Sequence, residues 1–317
     1  MPKPIEIALL DDAHPTLTNM LQSSGMHVTF LPDINRSDLI KTIEKYTGII
    51  LRSRITIDKE IIDRATQLEF IGRIGSGMES IDTEYATSRG IACYNSPEGN
   101  RDAVAEHALA MLLNLMCHIG KAHSEVKQGQ WLREENRGEE LAGKTIGIIG
   151  YGNTGSAFAR RLSVLGCKVQ AYDKYKTGFS DEYATETNMD CIFQETDILS
   201  LHVPLSTETS YLVNKKYIDN FQKPFYLINT SRGPVVNTQD AANALHEGKI
   251  KGMALDVLEY EETSFEKTSN LLQHKAFGQI ADRNNVILTP HIAGWTNESK
   301  VKLVQVLASK IIEHYKK

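Results

Sequence analysis

The sequence has no C-x-x-C pair and no cysteine or histidine grouping at metal-ligand spacing. Its four cysteines, Cys93, Cys117, Cys167 and Cys191, are scattered singly. No disulfide framework or bound metal is therefore expected, and reduced thiols in a cytoplasmic protein are the simple reading. A strong charge of one sign is also missing. The formal net charge of -5 gives no footing for nucleic acid or an anionic membrane as partner. An anionic ligand would have to be met by local arginines. The first residues, MPKPIEIALL, lack the apolar core of a signal peptide. Long hydrophobic runs are absent too. The most apolar stretch, residues 103–116, is interrupted by Glu106, His107 and Asn114. It is too short and too polar to span a bilayer and reads as a buried or subunit-interface helix. No repeat occurs at a solenoid period.

What is present is alternation. The chain has 317 residues, enough for two sizeable cores. Strand patterns at residues 5–10, 27–31, 48–51, 70–74 and 91–94 alternate with helical patterns at 15–23, 38–45, 58–65 and 83–88. Such alternation implies a parallel, doubly wound sheet, which binds ligands at the C-terminal ends of its strands. Arg52 and the glycine turn Gly75-Ser76-Gly77 fall at two such ends. A long helix follows from Asp102 to about Gly120 and resumes to Lys127. Residues 128–141, with Trp131, read as a polar surface excursion.

The most informative stretch is residues 144–173. A β-branched run, Thr145 to Ile149, leads into Gly150, Gly152 and Gly155 at G-x-G-x-x-G spacing. A helical pattern with Phe158, Leu162 and Leu165 follows, then a strand over residues 169–172 that ends on Asp173. The first glycine permits a tight turn, the second lets the backbone approach a pyrophosphate, and the third packs the helix on the strand. Backbone N–H groups near Asn153 and Thr154 would face the phosphates at the positive end of the helix dipole. Asp173 suits the ribose hydroxyls and would repel a 2′-phosphate, so NAD is expected over NADP. A plain βαβ unit without cofactor is the alternative. Alternation then continues with strands at 198–203, 226–229, 253–257 and 286–289, a helix at 240–247, and an amphipathic helix from about Glu298 to Tyr315.

Five motifs in order carry a resemblance. They are the loop Gly150–Gly155, Leu201-His202-Val203-Pro204-Leu205, Asn229-Thr230-Ser231-Arg232-Gly233, Ala254-Leu255-Asp256-Val257 with Glu261, and Thr289-Pro290-His291-Ile292-Ala293-Gly294. Together they resemble the D-2-hydroxyacid dehydrogenases over essentially the whole chain. The resemblance implies an α/β fold of two doubly wound parallel-sheet domains. A Rossmann NAD-binding domain, residues 99–292, would be inserted into a flavodoxin-like substrate domain, residues 1–98 and 293–317. It implies ligands held in the cleft between the domains, and a homodimer built on the 103–116 helix and the Trp131 region.

The resemblance also assigns roles. His291 would be the acid/base for the C2 hydroxyl, a task that suits a side chain titrating near working pH. Glu261 would fix its tautomer and favour the imidazolium. Arg232 would grip a carboxylate with its planar fork, and backbone N–H groups of Ser76 and Gly77 would complete that site. His202, Pro204, Thr230, Ser231, Asp256 and Gly294 would line the cofactor site. Taken singly, each has a duller reading: a loop histidine, a surface arginine, an acidic run at Glu259, Glu261 and Glu262, or a loop-capping Asp256.

A narrower likeness, carried by Leu51-Arg52-Ser53-Arg54, Gly72–Gly77 and Gly99-Asn100, is to the branch acting on 3-phospho-D-glycerate, in a short form without a C-terminal serine-sensing domain. Arg52 and Arg54 would hold the phosphate from one strand face, and Asn100 would assist. Glyoxylate or hydroxypyruvate reduction is the alternative, and an NAD(H)-sensing corepressor is the reading from another class. The chain departs from the family pattern at Ser80, at Glu262, in a longer segment between Glu261 and His291, and at Trp295. The last three bear on substrate choice.

Overall fold

Strands such as GIIL at residues 48–51 and ILSL at 198–201 carry apolar side chains at successive positions, so both of their faces must be covered. In the computed structural model, which describes residues 4–262 and 270–316, each belongs to a parallel sheet of its own. The chain divides into two compact units. One takes in Met1–Asn100 and Trp295–Lys317, the other Arg101–Glu262 and Glu266–Gly294.

The first unit holds β1 (Glu6–Leu9), β2 (His27–Phe30), β3 (Gly48–Leu51), β4 (Phe70–Arg73) and β5 (Ala92–Tyr94). All pair in parallel, in the order β2-β1-β3-β4-β5. This is the flavodoxin-like order. The strand period of two decides which core each residue joins. Ile7 and Leu9 face one core with Ile50 and Phe70. Ala8 and Leu10 face the other with Ile49 and Leu51. The closing helix Asn297–His314 starts at a Thr296/Ser299 capping box and seals the first core with Val304, Leu307, Ala308 and Ile311.

The second unit holds β6 (Thr145–Ile149), β7 (Lys168–Tyr172), β8 (Thr185–Glu186), β9 (Ile198–Leu201), β10 (Phe225–Asn229), β11 (Ile250–Leu255) and β12 (Val286–Leu288). Their order is β12-β11-β10-β9-β6-β7-β8. Counted from β6, the first six strands follow the dinucleotide-binding order 3-2-1-4-5-6, all parallel, and the order in which strands are added reverses between β6 and β9. Ligands bind such a sheet at that switch point, beyond the carboxyl ends of the strands.

Some expectations needed correction. The helix expected to run from Asp102 to Gly120 breaks after Met116 and restarts at Ile119, bent by 61°. His118 adopts φ 54 there, and the Gly120 N–H donates to Asn114 Oδ1 at 2.7 Å. The first of these helices is buried, one of the two readings offered for it. Its Ala105, Ala108, Met111, Leu112, Leu115 and Met116 are buried in the second unit's own core. Exposed apolar side chains come later, at Ile119, Val126, Trp131 and Leu132. Helices at Met189–Glu195, Lys215–Asp219 and Lys275–Ala281 escaped the sequence reading because one or two turns give too few residues to show a period. Among the described residues no single helix is long and apolar enough to cross a membrane.

Candidate active site

The glycine loop leaves β6 at the switch point. Gly150 turns at φ 93, and a Cβ there would lie 2.5 Å from the His202 carbonyl oxygen. A Cβ on Gly155 would lie 2.1 Å from the Gly150 carbonyl oxygen. The fold itself therefore requires both glycines. Gly152 differs, since a Cβ there would meet nothing within 4 Å. Nothing in the chain demands glycine at that position, so a side chain there would extend into open space. The adjoining helix, Asn153–Leu162, has no side-chain cap at its start, which leaves the N–H groups of its first turn to an outside acceptor. One residue past β7, Asp173 accepts from the Tyr151 N–H at 2.9 Å and the Tyr175 N–H at 3.0 Å. The acid is thus tied to the glycine loop, with acceptor capacity remaining, since a carboxylate has about four sites. The Thr230 hydroxyl, just past β10, is buried without a hydrogen-bond partner among the described residues. An open phosphate approach, an uncapped helix start and an unpaired hydroxyl together fit a dinucleotide.

His202 is corrected. Only 8% exposed, it lies under the loop with Nε2 2.9 Å from Ser200 Oγ and Nδ1 3.2 Å from Thr154 Oγ1. Its ring packs on Phe158. Burial pushes its pKa down to about 3, so it is a neutral strut of the core with both nitrogens used. Pro204 opens the loop after β9, where its carbonyl accepts from Thr209 Oγ1 at 2.6 Å.

Past β10, the buried Asn229 pins the next turn. Its Oδ1 accepts from the N–H and hydroxyl of Ser231, and its Nδ2 donates to the Arg232 carbonyl at 2.9 Å. Arg232 leaves this braced turn with extended backbone, and its Nη1 donates to the Ser231 carbonyl at 2.7 Å. Past β11, Glu261 Oε1 accepts from the Leu258 N–H at 2.5 Å while Oε2 lies 2.6 Å from His291 Nδ1. The pair is largely shielded, with side-chain exposures of 11% for Glu261 and 24% for His291. His291 itself sits at φ 54, a left-handed conformation that few side chains adopt and that clusters at functional sites.

Asp256 holds that conformation. Its carboxylate is 1% exposed and accepts from Thr289 Oγ1 at 2.6 Å and from the N–H groups of Ile292 and Ala293, both at 2.8 Å. Three of its roughly four acceptor sites are thereby filled. Its first task is to hold the loop that presents His291 and ends at Gly294. His107 backs the arrangement, with Nε2 3.1 Å from Thr289 Oγ1. Asn229 and Thr289 lay inside noted motifs without an assigned role. For His107 the sequence carried no signal, because its partners are more than a hundred residues away.

In the first unit the Gly75 turn follows β4. The N–H groups of Ser76 and Gly77 have no acceptor among the described residues, and the Ser76 hydroxyl donates to Asn100 Oδ1 at 2.8 Å. Arg54 is corrected. Because β3 ends at Leu51, Arg52 and Arg54 do not share a strand face. Arg54 Nε donates to Asp11 Oδ1 at 3.1 Å, its Nη1 to the Ile34 carbonyl at 2.6 Å, and its Nη2 to the Leu10 and Leu31 carbonyls. Its fork is spent on the scaffold. The Arg52 guanidinium lies over the Trp295 ring, 4.5 Å from its centroid.

Residues 109–293 match the family model described as D-isomer specific 2-hydroxyacid dehydrogenase, NAD binding domain. The chain is 33% identical over 297 residues to a D-3-phosphoglycerate dehydrogenase of Archaeoglobus fulgidus, covering 92% of this chain but 54% of that protein. It thus spans about half the length of that curated relative. It is 32% identical over 282 residues to a hydroxypyruvate reductase of Thermotoga maritima, covering 88% of each. Among solved structures, a D-lactate dehydrogenase from Aquifex aeolicus complexed with NAD and lactic acid superposes with TM-score 0.82 at 27% identity, over 98% of this chain and 95% of that one. The chain belongs to the D-isomer specific 2-hydroxyacid dehydrogenase family.

Proposed function

We propose that the protein is an NAD-dependent oxidoreductase that moves a hydride between nicotinamide and C2 of a D-2-hydroxy acid. The observation that carries this reading is the Glu261–His291 pair, a shielded 2.6 Å contact on a histidine held in a left-handed backbone. When bound, NAD supplies the hydride acceptor. With Nδ1 engaged by Glu261, the assignment gives His291 Nε2 the C2 hydroxyl proton. Glu261 then stabilises the imidazolium. Arg232, on its braced turn, binds the substrate carboxylate, and the Ser76 and Gly77 N–H groups are anion donors at the carboxyl edge of the first unit's sheet. Asp173, the glycine loop and Thr230 bind the dinucleotide, with Ser231, Asp256 and Gly294 as supporting wall.

Within this class the favoured reaction is 3-phospho-D-glycerate to 3-phosphohydroxypyruvate, the entry to serine synthesis. Its supports are the relative of that name and Arg52 at the C-terminal edge of the first sheet. The second reading is a glyoxylate or hydroxypyruvate reductase, favoured by the similar identity to the Thermotoga maritima protein. We also infer a homodimer, formed through the exposed Ile119, Val126, Trp131 and Leu132. Absorbance at 340 nm with a panel of 2-hydroxy and 2-keto acids tests the assignment. Fastest turnover of the phosphorylated acid supports the first reading, and fastest turnover of glyoxylate or hydroxypyruvate supports the second. NADH binding with no turnover of any acid overturns both and leaves a cofactor-sensing role.

A further inference from the structure

Arg52 and Arg54 stand two residues apart and are treated in opposite ways by the fold. Arg54 has its donors absorbed by Asp11 and by backbone carbonyls. Arg52 has no acceptor for its guanidinium among the described residues. Its backbone is nonetheless clamped at both ends. The Arg52 N–H donates to Asp11 Oδ2 at 2.6 Å, and the Arg52 carbonyl accepts from Arg73 Nε at 3.2 Å. Asp11 itself is 8% exposed, so this anchor is part of the interior. The side chain is fixed from the other end by Trp295, over whose ring the guanidinium lies at 4.5 Å. An aromatic face attracts the cation through its quadrupole and takes up no hydrogen-bond donor in the way a carboxylate would, so the N–H groups of the fork remain for an anion.

Its position gives the fork a purpose. Leu51 and Arg73 are register partners at the ends of β3 and β4, so Arg52 and the Ser76–Gly77 turn leave neighbouring strands at the same carboxyl edge of the sheet. That edge is where such sheets bind ligands. The turn offers two backbone N–H groups, and Arg52 offers a separate fork nearby. Two anion receptors on one edge suit a ligand with two anionic groups.

The geometry points to Trp295 as a specificity-determining positioning residue, which holds Arg52 ready for a second anionic group, a phosphate monoester or a carboxylate, carried by the 2-hydroxy acid. This rests on the proposed dehydrogenase reading and deepens it. It also gives a task to an indole that is 66% exposed. An indole that covered the core would be buried; this one has a cation on it.

The chain has two tryptophans, so Trp131→Phe leaves Trp295 as the sole emitter and serves as the reference protein. Its emission is titrated with 3-phosphoglycerate, D-malate and D-lactate. A saturable change with 3-phosphoglycerate or D-malate, weak or absent with D-lactate and lost in Arg52→Ala, is the expected result, and the more potent of the first two identifies the phosphate or the carboxylate. In steady state, Trp295→Leu raises KM for the responding acid by about 2–5-fold, the scale of an exposed cation–π contact. That loss appears in KM rather than kcat, and Trp295→Phe recovers part of it. Emission that ignores all three acids, or KM changes that are equal for D-lactate and the doubly charged acids, overturns the assignment of Trp295. Should the wild type oxidise none of these acids, the dehydrogenase reading fails, and the emission titration still decides the role of Trp295.

Discussion

Gly152 and Gly155 are three residues apart in one motif, yet the structure predicts opposite consequences for the same alanine substitution. At Gly155 a Cβ would sit 2.1 Å from the carbonyl oxygen of Gly150, where ordinary contact begins at 3.4 Å. The obstacle is backbone, and it belongs to a residue at φ 93 that has little room to move. Alanine regains about 1 kcal/mol of helix propensity over glycine. Overpacking a tight site costs about 1–3 kcal/mol, and a clash of over an ångström with main chain belongs at the upper end. A net loss of about 1–2 kcal/mol follows, or roughly 2–4 °C in Tm for each kcal/mol in a unit of this size. At Gly152, φ is -94 and no atom lies within 4 Å of the added methyl, so stability should stay within about 0.5 kcal/mol of wild type. The same methyl would stand in the path of the cofactor's phosphates. NADH affinity should therefore fall by about tenfold or more, about 1.4 kcal/mol. Urea unfolding without cofactor, followed by NADH titration monitored by fluorescence, measures both quantities on each variant. If Gly152→Ala unfolds as easily as Gly155→Ala, or binds NADH as tightly as wild type, the reading of the open space at Gly152 as the phosphate approach is wrong.

His291→Ala should lower kcat by about 10²-fold or more, the scale of a lost general acid/base, with NADH binding retained; a smaller loss would remove His291 from the proton transfer. Glu261→Gln should lower kcat with NADH binding retained, because the contact to His291 Nδ1 that orients the ring is weakened; an unchanged kcat would exclude Glu261. Asp173→Ala should narrow the preference for NAD over NADP, read as the ratio of kcat/KM values, and a native preference for NADP would refute the role given to Asp173. His202 carries an acid-stability prediction. Burial holds its folded-state pKa at about 3 against 6.5, so the unfolded chain takes up more protons between those values. The stability involved is whole above about pH 6.5 and is lost toward pH 3, by about 1.4 kcal/mol per pH unit. His202→Gln should flatten the fall in urea midpoint between pH 6 and pH 4, and an unchanged slope would mean the imidazole is reached by water.

The sequence by itself determined what depends on neighbours along the chain. The alternation of strand patterns such as IALL and GIIL with helical patterns implied a parallel, doubly wound sheet. The spacing of Gly150, Gly152 and Gly155 behind β6, with an acid one residue beyond β7, specified a dinucleotide loop, in which Gly150 and Gly155 answer the chain's own steric demand and Gly152 leaves room for a ligand. The motifs around Arg232, Glu261 and His291 marked the groups proposed to react. Tertiary structure decided how distant side chains share their donors and acceptors. Glu261 and His291 are thirty residues apart, and only the ends of β11 and β12, adjacent in the sheet, bring them to 2.6 Å. Arg54 looked equivalent to Arg52 until carbonyls from the loops after β1 and β2 closed on it. His202 stood in a cofactor motif, and burial between Ser200 and Thr154 made it a neutral strut. Asp256 and His107 met at Thr289 because the helix Arg101–Met116 packs against β11 and β12. A hydrogen bond forms over about 3 Å, and which groups come within that distance is set by how elements pack, a quantity no local pattern contains.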